Sequence, residues 1–333
     1  MIPPFRRQLV LAVLSTGTLI LLAASPQLFG GRVADALAGL GDAEPTWLWL
    51  AALLFVSMHA LSGLAWGVAL RSCGSPIDHA DAIARYGVGS GLNAVAPFRV
   101  GSAVRVALFA RVSEIDGALW QAGGAGAAVG AVRAVWFASL VGAAAAADVV
   151  PAWPLAVIAI GIGAGVVATI VSGRVPLRRR LGLVLHAFQA LSRAPRSLGA
   201  VAVLTATGLA CKVAAVSAIV AALGIERPLL AALVVVPAIE LAAVLPITPG
   251  NAGVASAAVA FALGVHGVEA ATALAAGIAF GATEMLAAIA VGAAGALTLA
   301  GTIVRPALRR TAVGVLSAAV SLAFSFTVVL PAL

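Results

Sequence analysis

Residues 94–101 read AVAPFRVG and residues 243–250 read AVLPITPG, almost half a chain apart in a chain of 333. Ala, Val, Pro and Gly recur at matched positions, and each stretch interrupts an otherwise apolar run. A bilayer core holds no water for an unpaired backbone group, so such a break is tolerated only where protein or a wet cavity surrounds it. A matched pair of broken apolar segments in the two halves of a membrane protein points to a transporter's binding site. These two stretches decide the fold.

Composition agrees. Hydrophobic residues make up 62% of the chain and charged residues only 10%, with a mean hydropathy of +1.13. A soluble fold of this length does not bury that fraction, so the expected class is an all-α polytopic membrane protein. Most of the 36 glycines fall inside apolar runs. Pairs four residues apart, Gly63/Gly67, Gly126/Gly130 and Gly277/Gly281, suit close helix approach. The net charge of +8 comes from arginines dispersed over loops, which argues against a nucleic-acid partner. Cys73 and Cys211 sit in or beside apolar spans, so no disulfide, metal or other cofactor is expected.

A membrane crossing needs about 20 mainly apolar residues. Full crossings are predicted near 8–29, 47–70, 117–147, 153–173, 198–224, 270–300 and 311–333, about seven helices in all. The run at 8–29 follows Arg6 and Arg7 without a clear cleavage site and reads as a first transmembrane helix rather than a signal peptide. The interrupted regions 80–110 and 229–264 have halves too short to cross and read as two re-entrant hairpins. One transmembrane domain then divides into an extra first helix (1–46), a first repeat (47–173), a basic cytoplasmic linker (174–197) and a second repeat (198–333). The linker has an amphipathic pattern that suits either the inner leaflet surface or an ordinary basic loop.

Basic residues set the orientation. Arg6, Arg7, Arg71, the arginines of 174–197 and Arg305, Arg309 and Arg310 mark one side. Asp35, Asp42, Glu44, Asp148, Glu226 and Glu269 mark the other, against only Arg32 and Arg227. The N-terminus is therefore expected inside and the C-terminus outside, in the cell inner membrane. The hairpins then open on opposite sides, an inverted repeat around one midplane site.

Charges inside a bilayer cost roughly 2.5–3.5 kcal/mol each on insertion scales and need a partner or a role. The candidates are Arg99, Arg105, Arg133, Lys212, Glu240 and Glu284, with His59 a weaker one. Arg99 and Arg105 flank Gly101 at the start of a short helix, with Asn93 upstream, a phosphate cradle in outline. Snorkelling to the cytoplasmic boundary is the alternative for Arg105. On the second hairpin Thr248, Pro249, Gly250, Asn251 and Gly253 form an uncharged turn. Glu240 is expected to meet Arg99, Arg133 or Lys212, as a structural ion pair or a coupling group, and Glu284 to pair with Lys212. The glycines of YGVGSGLN (86–93) lack the strand–helix setting of a dinucleotide fingerprint. No catalytic constellation is present, so an enzyme is the weaker reading.

The stretch GLNAVAPFRVGSAVRVALFAR (91–111) resembles the N-x-x-x-P-x-R-x-G-E-x-x-R signature of the lysylphosphatidylglycerol synthase transmembrane region, also called the flippase-like family. LPITPGNAGVASAAVAFALGV (245–265) resembles that family's second signature, L-P-x-x-P-G-G-x-G-x-R-E. The resemblance implies a protein that moves a lipid between leaflets. It carries over Asn93, Pro97, Arg99, Gly101 and Arg105 on one hairpin, and Pro246, Pro249, Gly250 and Gly253 on the other. The departures are Ser102 for a Glu, Asn251 for a Gly, and Ala255–Ser256 for an Arg-Glu pair. In the third span Val132, Arg133 and Trp136 replace an acid-Arg-x-x-acid pattern. Lost acids put ion coupling in question, and with no soluble synthase domain in the sequence the chain is not expected to make lysyl-lipid itself.

The expectation is a lipid transporter whose partners are membrane lipids with anionic headgroups, held between 93–105 and 246–253. A homo-oligomer or a lipid-synthesis enzyme is a further expected partner. Two alternatives are a non-transporting accessory subunit and a membrane-embedded transferase using a lipid-linked donor.

Overall fold

The computed structural model describes residues 38–41, 43–96, 100–146, 179–242 and 252–303. Its helices are α1 (Pro45–Ser72), α2 (His79–Val95), α3 (Val100–Ala110), α4 (Ala118–Ala146), α5 (Arg179–Arg193), α6 (Pro195–Ala222), α7 (Pro228–Ala242), α8 (Ala252–Val265) and α9 (Ala270–Ile303). No strand occurs among the described residues. The helices α1, α4, α6 and α9 are long and apolar enough to cross a membrane, matching the expected spans at 47–70, 117–147, 198–224 and 270–300. The other three, at 8–29, 153–173 and 311–333, lie outside the described residues.

The two halves share their punctuation. Both α1 and α6 are 28 residues long and open with proline, Pro45 and Pro195, which suits a first helical turn. Both close on a left-handed glycine, Gly74 (φ 86°) and Gly224 (φ 68°). The caps carry the same hydrogen bonds: Gly74 N–H to Arg71 O and Ser75 N–H to Leu70 O, then Gly224 N–H to Ala221 O and Ile225 N–H to Val220 O. This double bond at a glycine satisfies the last free carbonyls of a helix. Gly117 and Gly267, the other left-handed glycines among the described residues, precede α4 and α9. Each pair (74 and 224, 117 and 267) is 150 residues apart.

The first spans of the halves, α1 and α6, run antiparallel: Glu44 N–H donates to Ala222 O at 3.0 Å, and Gly208 of α6 comes within 4.0 Å of Leu61 and Met58. Each is followed by a pair of short helices. At 1.5 Å per residue α2 and α3 are about 26 and 17 Å long, short of the roughly 30 Å hydrocarbon core. Their outer ends meet on one face. There Ser75 and Ser113 share a hydrogen bond, Ser113 Oγ donates to Gln121 Oε1 at 2.9 Å, and Gln121 Nε2 donates to Cys73 O at 2.9 Å.

Lipid tails are as apolar as leucine, so these helices associate by packing and by glycine-mediated close approach. The YGVGSGLN segment does this in two directions. Gly87 and Gly91 face α9, where a Cβ would come 2.7 Å from Val291 O and 2.9 Å from Gly292 Cα, while Gly89 faces α3. Gly63 and Gly67 admit α2 against α1, and Gly277 admits α8 against α9. Gly126 accepts the Trp66 ring, but Gly130 has nothing within 4 Å and borders a cavity instead.

Two apolar cores result. One gathers Phe55, Ile219, Val235, Leu263 and Phe280, with the two phenylalanine rings edge-on at 5.7 Å. The other gathers Trp66, Leu70, Phe109 and Val201, with Trp66 stacked on Phe109 at 4.9 Å. On α1 the stretch between Met58 and Trp66 separates them. The 174–197 linker contains helix α5, which rests against α4: Ala187 and Leu191 are buried, and a Cβ at Gly124 would sit 2.8 Å from Val184 Cα. Phe188 and Arg193 stay exposed.

Candidate functional site

The short helices α2 and α3 are clasped where both backbones lack side-chain bulk. A Cβ on Gly101 would collide with Gly89 O and come 2.5 Å from Asn93 N. Asn93 closes the clasp: its Oδ1 accepts from Ser102 N–H and its Nδ2 donates to Ser102 Oγ, both at 3.0 Å. Asn93, expected among the ligand groups, thus spends its amide on the hairpin itself. Ser102, noted in the sequence only as a departure, is its partner. Arg85 reinforces the pair by donating to Leu108 O.

One turn beyond the clasp, Arg105 points inward rather than to the membrane boundary. Its guanidinium carbon lies 3.9 Å from the centre of the Tyr86 ring and 5.7 Å from that of Trp66. Its Nη2 donates to Ser90 Oγ at 3.0 Å, while its buried Nε has no partner among the described residues. The snorkelling alternative does not hold in this structure. Tyr86 and Ser90 are four residues apart on α2, which puts both on the face turned to α3.

Arg105 reaches a cavity of about 170 Å³ between the two apolar cores. Ser62 of α1, Gly130 and Arg133 of α4, and Thr205, Gly208 and Lys212 of α6 line it as well. Glu240 of α7 bonds both neighbouring cations through one oxygen: Arg133 Nη2 at 2.6 Å and Lys212 Nζ at 2.8 Å from Oε1. The expected meeting of Glu240 with Arg133 or Lys212 is therefore met by both at once. Lys212 does not bond Glu284, contrary to expectation, because the α6–α7 crossing turns it toward α7. Glu284 remains within electrostatic reach of Lys212, Glu240 and Arg133. Pro237 sits inside α7 three residues before Glu240, where a helix loses one backbone hydrogen bond.

Pro97, Arg99, Pro246, Thr248, Pro249, Gly250 and Asn251 lie outside the described residues. Gly253 is exposed in the first turn of α8. His59 is held beside Tyr86, ring centres 6.3 Å apart, with neither ring nitrogen hydrogen-bonded.

A family model described as "Lysylphosphatidylglycerol synthase TM region" matches residues 8–292. The chain belongs to that family. No curated protein matches the sequence. Membership in this transmembrane-region family and the four spanning helices make it a multi-pass membrane protein of a lipid-linked family. The match takes in both pairs of short helices and every residue of the cavity. Within the lysylphosphatidylglycerol synthase transmembrane region of this chain, sequence reading missed Tyr86, Ser90, Ser102 and Thr205. The one usable signal was that Tyr86, the single tyrosine of the chain, precedes Ser90 by one helical turn.

Proposed function

We propose that this chain moves a phospholipid with an anionic headgroup between membrane leaflets, with no chemical step. The observation that carries this reading is convergence. Arg105, a cation of the first short-helix pair, lines one cavity with Arg133 and Lys212 of the spans between, and Glu240, an acid of the second pair, bonds those two cations from behind the cavity wall. Two re-entrant hairpins in an inverted repeat, one opening to each side, would gate such a site alternately. The antiparallel α1 and α6, each followed by a short pair at its own C-terminal end, support that arrangement. The headgroup is held between 93–105 and 246–253, with the N-terminus cytoplasmic in the inner membrane. Arg71, Arg193 and Arg196 support the cytoplasmic face, and Glu44, Glu226 and Glu269 the opposite one.

The test is leaflet exchange of fluorescent phosphatidylglycerol in proteoliposomes containing only this chain, with Arg99→Ala and Arg105→Ala alongside. Exchange by the native chain, lost in both variants at normal expression, is the expected result. No exchange for several lipids, with or without a proton gradient, would overturn it. A protein that co-purifies with the chain would then favour the accessory-subunit reading.

A further inference from the structure

The charges around the cavity do not balance. Three fixed cations, Arg105, Arg133 and Lys212, line it. Glu240 is the one carboxylate bonded to any of them among the described residues, and it serves two. Counting Glu284 as fully ionised still leaves one positive charge over. Among the described residues Arg105 has no acidic partner, and its buried Nε has no acceptor. An uncompensated cation in a low-dielectric setting is costly unless an anion visits it.

The cavity is also the wrong size for a whole lipid. Its 170 Å³ falls below the roughly 300–1,000 Å³ of pockets that enclose a drug-sized ligand. A small anionic group fits, and whatever is attached must stay outside. Ser62 and Thr205 bring hydroxyls to the same walls. Ser62 Oγ donates to Met58 O at 2.8 Å and Thr205 Oγ1 to Val201 O at 2.7 Å, so both are left as acceptors for a ligand hydroxyl and the phosphate oxygens fall to the cations. The guanidinium of Arg105, its carbon 3.9 Å from the centre of the Tyr86 ring, can hold two oxygens of an oxyanion through its planar fork.

We infer that this cavity is a phosphate site, taking one phosphate mono- or diester on Arg105 with Arg133 and Lys212 as second and third cations. Glu240 is its built-in competitor, since it occupies in the empty site the contacts that the ligand takes. The inference deepens the transport reading and rests on it for the lipid, but not for the anion. It moves Arg133 and Lys212 from ion-pair partners to ligand groups.

The test uses the full chain purified in uncharged detergent, titrated calorimetrically with dihexanoyl-phosphatidylglycerol, glycerol phosphate and inorganic phosphate, with dihexanoylglycerol as the phosphate-free control. Arg105→Gln should weaken phosphate binding about ten- to hundredfold, the worth of a charged hydrogen bond, and Arg105→Lys by less. The ligand-free melting point of Arg105→Gln should stay the same or rise, because an unpaired charge has gone; a structural arginine would lower it. Glu240→Gln, if it folds, should bind more tightly. Binding of all three phosphates supports phosphate as the recognised group, and binding of the lipid form alone supports the same site with the chains contributing. Binding of free phosphate alone keeps the site and overturns its lipid ligand. No binding, or equal binding of the control or by folded Arg105→Gln, overturns the site. Exchange activity that survives in a non-binding Arg105→Gln would keep the site and overturn its part in transport; binding by the native chain without exchange would keep the site and overturn the transport reading.

Discussion

At the residue scale, glycine and charge divide the work. Gly101 has backbone on every side, so a methyl group there meets Gly89 O with nothing able to yield. Gly101→Ala should cost about 1–3 kcal/mol of stability, the usual range for overpacking, read as a lower melting point in detergent. Gly130→Ala should melt like the native chain, because nothing lies within 4 Å of the added carbon; a large drop would contradict the cavity. His59 makes the opposite point. With neither ring nitrogen bonded, His59→Leu removes an unsatisfied polar group and should leave stability unchanged or raised.

At the element scale, Glu240 joins α7 to α4 and α6. The Lys212 side chain is 7% exposed and that of Arg133 41%. Either substitution leaves Glu240 its other cation, so the loss scales with how deeply the deleted contact is buried, and the Lys212 contact is the deeper of the two. Lys212→Gln should therefore destabilise clearly more than Arg133→Gln in parallel melting experiments; equal effects would deny Lys212 its buried role. The docking of α5 is likewise specific, because Val184 backbone lies against Gly124. Gly124→Leu should release α5, seen as protease cleavage within 179–193, while α6 stays protected.

At the scale of the whole molecule, the proposed inverted repeat requires the two short-helix pairs to open on opposite sides of the membrane. In a chain with Cys73 and Cys211 replaced by serine, Asp78→Cys should label with an impermeant maleimide only from the cytoplasmic side. Glu226→Cys should label only from the outer side. Both positions are exposed. Labelling of both from one side would eliminate the inverted repeat.

The four described spans and the family signatures were legible in the residues, because apolar length and helix-breaking Pro and Gly act locally along the chain. The 150-residue spacing of Gly74/Gly224 and Gly117/Gly267 emerged only with the structure, because the left-handed backbone is what singles those glycines out. What the tertiary structure alone decided was rotation and crossing of the helices. It turned Arg105 inward onto Tyr86, gave Lys212 to Glu240 instead of Glu284, and used Asn93 to hold Ser102. Such pairings depend on which helix faces meet in three dimensions, and no local pattern along a uniformly apolar helix encodes that.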